Sequence, residues 1–188
     1  MNWFSTIVRV AGTQFPFTSA LVQFQAELDS DALLSRLQRL EDPISVLHQD
    51  VPAVSKVMYE AIARQNESSL DFDDDFYRTF SRSLAALHSA SHIVLSRAMG
   101  RQIPVGLRVT DPSYILYLAA RFADSDRMAL LVNALDECSI GQSIDGHLLH
   151  GQLSLPIPVI RACFEIFEAK GFGSCSKSIG RVLYCGKA

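Results

Sequence analysis

The chain is poor in everything that marks a small stapled or metal-built fold. It has four cysteines in 188 residues (Cys138, Cys163, Cys175 and Cys185) and no C-x-x-C pair. That spacing excludes a zinc ribbon and a thioredoxin-type redox motif. There is a single tryptophan. No run reaches the roughly 18 apolar residues that a membrane span requires. There is no G-x-S-x-G, no P-loop and no G-x-G-x-x-G, so no nucleophile elbow or nucleotide fingerprint points to catalysis. No internal repeat or low-complexity run is visible in the sequence. Acid is missing at both ends: residues 1–26 contain none and a single arginine, Arg9, and residues 169–188 contain none beside Lys170, Lys177, Arg181 and Lys187.

What is present is ordinary globular material. Hydrophobic residues make up 48% and charged residues 20%, the balance of a chain that buries a core. At this length a globule buries roughly 70% of its unfolded surface and needs no crosslinks. The formal net charge of −3 argues against a protein that coats nucleic acid non-specifically, because such binding is driven by phosphate neutralisation. Cys163 falls on the apolar side of a predicted helix, as a small core residue. Cys175 and Cys185 flank a predicted hairpin turn. A disulfide between them is open, but reduced thiols in the cytoplasm are the expectation, since no convincing secretory signal precedes the chain.

Periodicity and punctuation predict helices through most of the length. Two short ones are expected around a bend at Gly12 and Pro16, and another follows the Asp29-Ser30-Asp31 cap cluster. Asp50, Val51 and Pro52 start a helix whose stripe is Val54, Val57, Met58, Ala61 and Ile62. Residues 68–75 form a break rich in aspartate, ahead of a helix from Asp74 to Ser89. Residues 91–109 hold Gly100, Pro104 and Gly106 between short apolar runs, Ile93-Val94-Leu95 and Val105 to Val109, and read as an irregular crossing that could hold a short strand pair. Thr110-Asp111-Pro112 is a helix start, and the helix runs to Phe122. Asp124-Ser125 caps the next, over Asp126–Cys138. These elements divide the chain into a helical domain of unknown type over 1–109 and a second domain over 110–188.

The last 45 residues carry the clearest pattern. A short helix over Asp145–Leu153 is followed by the Ser154–Pro156 turn, a helix over Pro158–Lys170, Gly171 at the capping position and two strands near 173–176 and 181–185. With the helix at Asp126–Cys138 as a lead-in, this order resembles a winged helix-turn-helix from about residue 126 on. The resemblance implies a mainly α fold: a helical N-terminal domain followed by a winged helix with a short two-stranded wing. It also implies that the second motif helix and the wing meet a partner, which in many winged helices is duplex DNA. The contact residues would be Leu155, Ile157, Arg161, Glu165, Lys177, Arg181 and Lys187.

At 100° per residue, Val159, Ile160, Cys163, Phe164, Ile166 and Phe167 share one arc of that helix. Pro158, Arg161, Ala162, Glu165, Glu168 and Ala169 share the other. Two glutamates beside one arginine are a poor set for a phosphate-lined groove. The expected function is therefore a non-enzymatic regulatory or adaptor protein that uses its winged helix for protein contacts or self-association. A DNA-binding transcriptional regulator is the alternative. A membrane- or partner-targeted effector acting through the acid-free N-terminal segment is the third reading. His88/His92 and His147/His150 have helical spacing but no further ligand, and Asp71–Asp75 lacks the glycine and glutamate of a calcium loop. No metal and no cofactor are expected.

Overall fold

The computed structural model describes residues 44, 47–176 and 182–186. The helices expected before Asp42 lie outside the described residues. The first described helix, α1 (Val51–Gln65), is followed by β1 (Ser69–Leu70), α2 (Asp74–Thr79), α3 (Ser81–Ser89), β2 (Ile93–Ser96) and β3 (Gly106–Val109). Then come α4 (Pro112–Phe122), α5 (Ser125–Asp136), β4 (Ser143–Asp145), α6 (Gly146–Leu153), α7 (Ile157–Ala169), β5 (Gly173–Cys175) and β6 (Leu183–Gly186).

Local chemistry places most of these boundaries. Asp73, Asp111, Asp124 and Asp145 each accept a hydrogen bond from a backbone N–H in the first turn that follows. They satisfy donors that a helix start leaves open. Pro112 sits at the first helical position of α4, where its missing N–H costs nothing.

The fold is mixed α/β, which corrects the expectation of a mainly α chain ending in a two-stranded wing. Among the described residues there are two three-stranded antiparallel sheets, ordered β1-β3-β2 and β4-β6-β5. The irregular crossing at 91–109 is a hairpin in which Ile93 pairs with Val109 and Ser96 with Gly106. The C-terminal hairpin gains a third strand because Ser143–Asp145, just ahead of α6, pairs with Leu183–Cys185. Strands of two or three residues are too short to show a period-two pattern, so β1 and β4 read as loop in the sequence.

The two sheets expose a repetition of topology that the sequence conceals. Residues 51–109 run helix, strand, helix, helix, strand, strand, and residues 125–186 run the same way. In each set the first strand pairs with the last. We refer to these as the first and second units. Between them lies α4, in which Tyr114 to Ala119 are six consecutive buried residues. A helix buried on all sides is packed on more than one face. Here the faces are taken by α1 of the first unit and α7 of the second. The core is continuous through it, from Val54, Met58 and Ile62 to Ile160, Phe164 and Phe167.

Candidate interaction surfaces

The sequence singles out α7, and its environment decides what it can touch. Its N-cap position is Pro156, which has no side chain to offer the first orphan N–H groups. The cap comes from the other unit. Asn66, at the C-terminal end of α1, accepts the Ile157 N–H through Oδ1 at 2.6 Å. Asn66 can reach because it adopts the left-handed conformation, φ 57°, which Asn tolerates better than most residues. His150 steadies the turn between α6 and α7 by donating its Nδ1–H to the Leu155 carbonyl at 2.7 Å.

Eight of the 13 residues of α7 are buried, Pro158 and Ala162 among them. Both were expected on the outward arc. They are buried in a helix that packs both against α4 and against the sheet of its own unit. Leu155 is buried as well, so it serves the core and offers nothing to a partner. Ile157 is half-buried and forms the first residue of α7, where Pro158 had been expected to open it. Arg161 is exposed and Glu165 half-buried. They line a shallow groove with Phe164, Glu168, Cys175, Ser176, Val182 and Leu183. Glu168 accepts the Cys175 N–H at 3.0 Å. The groove is thus bordered by one arginine and two carboxylates. Lys177, Arg181 and Lys187 lie outside the described residues.

Packing at the sheet is close enough to dictate residue types. The Tyr184 ring covers Gly173 so tightly that a Cβ there would lie 2.2 Å from it. Tyr184 is buried between Phe164 and Phe167, its hydroxyl without a hydrogen-bond partner among the described residues. Burial first, and the neighbouring cysteines second, push its pKa up to about 12. Burial likewise pushes the Cys163 thiol up, which keeps it protonated and inert. Cys175 stands opposite Tyr184, and Cys185 opposite Ser174. Successive residues of a strand point to opposite faces, so the two thiols are on opposite sides of the sheet. All four cysteines are free.

The surface that sequence reasoning missed is on the first unit. From Phe76 to Thr110 the chain has five arginines (Arg78, Arg82, Arg97, Arg101 and Arg108) and no acidic residue. All five are exposed. Arg101 pairs with Asp74 at 3.3 Å, both side chains about half exposed. The α3 helix, which holds the place in the first unit that α7 holds in the second, buries only Ser83, Leu84 and Leu87. Ser81, Arg82, Ala85, His88 and Ser89 are exposed. A charge count in windows shorter than the half-chain would have found this stretch.

His88 and His92 hold neighbouring groups in place. His88 donates Nδ1–H to the Ile93 carbonyl at 3.0 Å, and His92 donates to Asp111 Oδ2 at 2.6 Å while stacking on Tyr114. Tyr114 in turn hydrogen-bonds Ser55 of α1 at 2.8 Å, a buried polar tie between α4 and the first unit. Among the described residues no group of three or more His, Cys, Asp or Glu could hold a metal ion, and no helix is long and apolar enough to cross a membrane. No family model, curated protein or solved structure matches the chain.

Proposed function

We propose that the chain is a non-enzymatic, cytoplasmic regulatory or adaptor protein built from two winged helices in tandem, the second of which works through protein contact. The single observation that carries this reading is the closure of α7. A winged helix that reads DNA offers its second motif helix to the major groove. In this chain that helix packs against α4, has Pro158 and Ala162 of its outward arc buried, and shows solvent little beyond Arg161, Ala169 and two half-buried glutamates. The strand order β4-β6-β5 around α6 and α7 supports the winged-helix reading of the unit.

The apolar side chains of the second unit support the choice of partner. Leu130 on α5 is 56% exposed, Ile140 in the following loop 74% and Leu148 on α6 67%. Large apolar side chains at the surface of neighbouring elements mark protein contacts. The simplest partner is a second copy of the chain, since most oligomers are two-fold homodimers. Sedimentation velocity of the full chain tests this. The expected result is a dimer that Leu130→Asp with Leu148→Asp converts to a monomer of unchanged circular dichroism. A wild-type chain that stays monomeric at about 100 μM, far above the concentrations at which a stable dimer dissociates, contradicts it.

A further inference from the structure

We propose that the first unit binds the phosphate backbone of duplex DNA through Arg78, Arg82, Arg97 and Arg101. This goes beyond the reading of the second unit, and each can fail without the other. Four observations carry it.

The first is charge. The 35 residues from Phe76 to Thr110 contain arginine and histidine as their only ionisable basic types and no acid at all, in a chain whose net charge is −3. A local excess of arginine against the trend of the whole molecule is the electrostatic footprint of a polyanion site. Arginine in particular suits phosphate, through its planar fork of donors.

The second is placement. Arg78 and Arg82 sit on α2 and α3, and Arg97 and Arg101 in the loop that joins β2 to β3. The Arg101–Asp74 pair brings that loop against the start of α2. Arg78 is one helical turn beyond Asp74, hence on the same side of α2. Arg78 and Arg101, distant in sequence, are thereby drawn to one end of the unit, with Arg82 next along the chain from the first and Arg97 in the same loop as the second.

The third is access. Among the described residues, the principal packing partners of the α3 helix are α1, α2 and β2, all of its own unit. Its exposed residues Ser81, Ala85 and Ser89 are small, so the helix backbone can approach another surface closely beside Arg82. Ser and Arg are also residue types that reach base edges and phosphates. The equivalent helix of the second unit, α7, is buried at eight of its 13 residues.

The fourth is the disposition of the competing acids. Asp71, Asp73, Asp74 and Asp75 all precede Phe76. Asp73 is engaged with the Phe76 N–H at 2.8 Å, and Asp74 with Arg101. None of the ion pairs among the described residues includes Arg78, Arg82 or Arg97.

The experiment is fluorescence anisotropy of the full chain with a labelled duplex of random sequence, between about 50 and 200 mM salt. The expected log–log salt slope is about −3, the value for three to four neutralised phosphates. Arg78→Ala with Arg82→Ala should lower affinity at least about tenfold and flatten the slope by about two. Asp74→Asn frees Arg101 and removes an acid, and it should tighten binding a few-fold, a gain that misfolding cannot produce. Arg161→Ala should change nothing. Three results overturn the proposal: no binding at the lowest salt, binding indifferent to Arg78 and Arg82 but lost with Lys177→Ala and Arg181→Ala, or binding to single strands and not to the duplex.

Discussion

The two units share an order of elements and a strand order, yet they differ in what becomes of the helix ahead of the hairpin. In the second unit, α7 packs against both α4 and its own sheet, and buries eight of 13 residues. In the first unit, α3 buries three of nine. The sequences explain the difference. The α7 helix reads IPVIRACFEIFEA, with a broad apolar arc that Pro158 and Ala162 widen, interrupted by one arginine and two glutamates, so it can be packed by more than one neighbour. The α3 helix reads SRSLAALHS, with apolar residues on one arc only. The same topology therefore yields a structural pillar in one place and an open face in the other. What distinguishes them is the width of the apolar arc, not the connectivity.

Substitutions sort along that difference. The largest effect is expected at α7. Phe164→Ala would leave a cavity against Tyr184 and should cost about 3–5 kcal/mol in urea unfolding, as for other buried phenylalanines. Next is the contact behind it. Gly173→Ala drives a Cβ into the Tyr184 ring and should cost about 1–3 kcal/mol through overpacking. Asn66→Ala removes the cap that joins the units and should cost about 1–2 kcal/mol, whereas Asn66→Asp, which keeps the acceptor, should recover most of it. At the bottom lies α3, where Arg82→Ala should stay within about 0.5 kcal/mol of the wild type. A loss at Arg82 comparable to that at Phe164 would mean that α3 is covered too.

Alkaline titration sharpens the picture of the second unit. The Tyr184 pKa is raised from 10.0 to about 12. A raised folded-state value means that the unfolded chain loses the proton first. The group's contribution to stability is then full below pH 10 and is lost as the pH rises through 12. Tyr184→Phe should flatten that alkaline decline. It should cost little at neutral pH, because the hydroxyl it removes has no partner among the described residues. An unchanged alkaline limb in the variant would assign the decline to other groups.

Much of the second half of the fold is legible in the sequence, because its signals are local. Asp111-Pro112 places the start of α4, and the predicted end at Phe122 matches the structure. Asp124 and Asp145 mark the next two starts, and the two strands around residues 177–181 fall within two residues of their predicted ends. The first unit was hidden for physical reasons. Its opening strand is two residues long. The break between α2 and α3 falls at Phe80, with φ −101° and ψ 18°, where no Gly or Pro announces it. The Asp73 cap and the amphipathic run after it therefore read as one helix.

The candidate surfaces were less legible still. Leu155 and the outer arc of α7 look available on a helical wheel, because a wheel shows one helix and not the neighbour that covers it. Ala162 and Pro158 are polar-side residues by spacing and core residues by contact with the rest of the fold. Conversely, the acid-free arginine stretch of the first unit vanishes when charge is summed over residues 1–123, since the aspartates of the preceding loop cancel it.

The most direct test of the open-and-closed distinction is thiol labelling at matched alanines. Cys138, Cys175 and Cys185 would be replaced by Ser, and buried Cys163 retained. A cysteine would then be introduced by Ala85→Cys in α3 or Ala162→Cys in α7, positions that are exposed and 1% exposed respectively. The account predicts that the α3 thiol reacts like that of a free peptide. The α7 thiol should react at least about 100-fold more slowly, as an opening free energy of about 2.7 kcal/mol imposes. Equal rates at the two positions would contradict it.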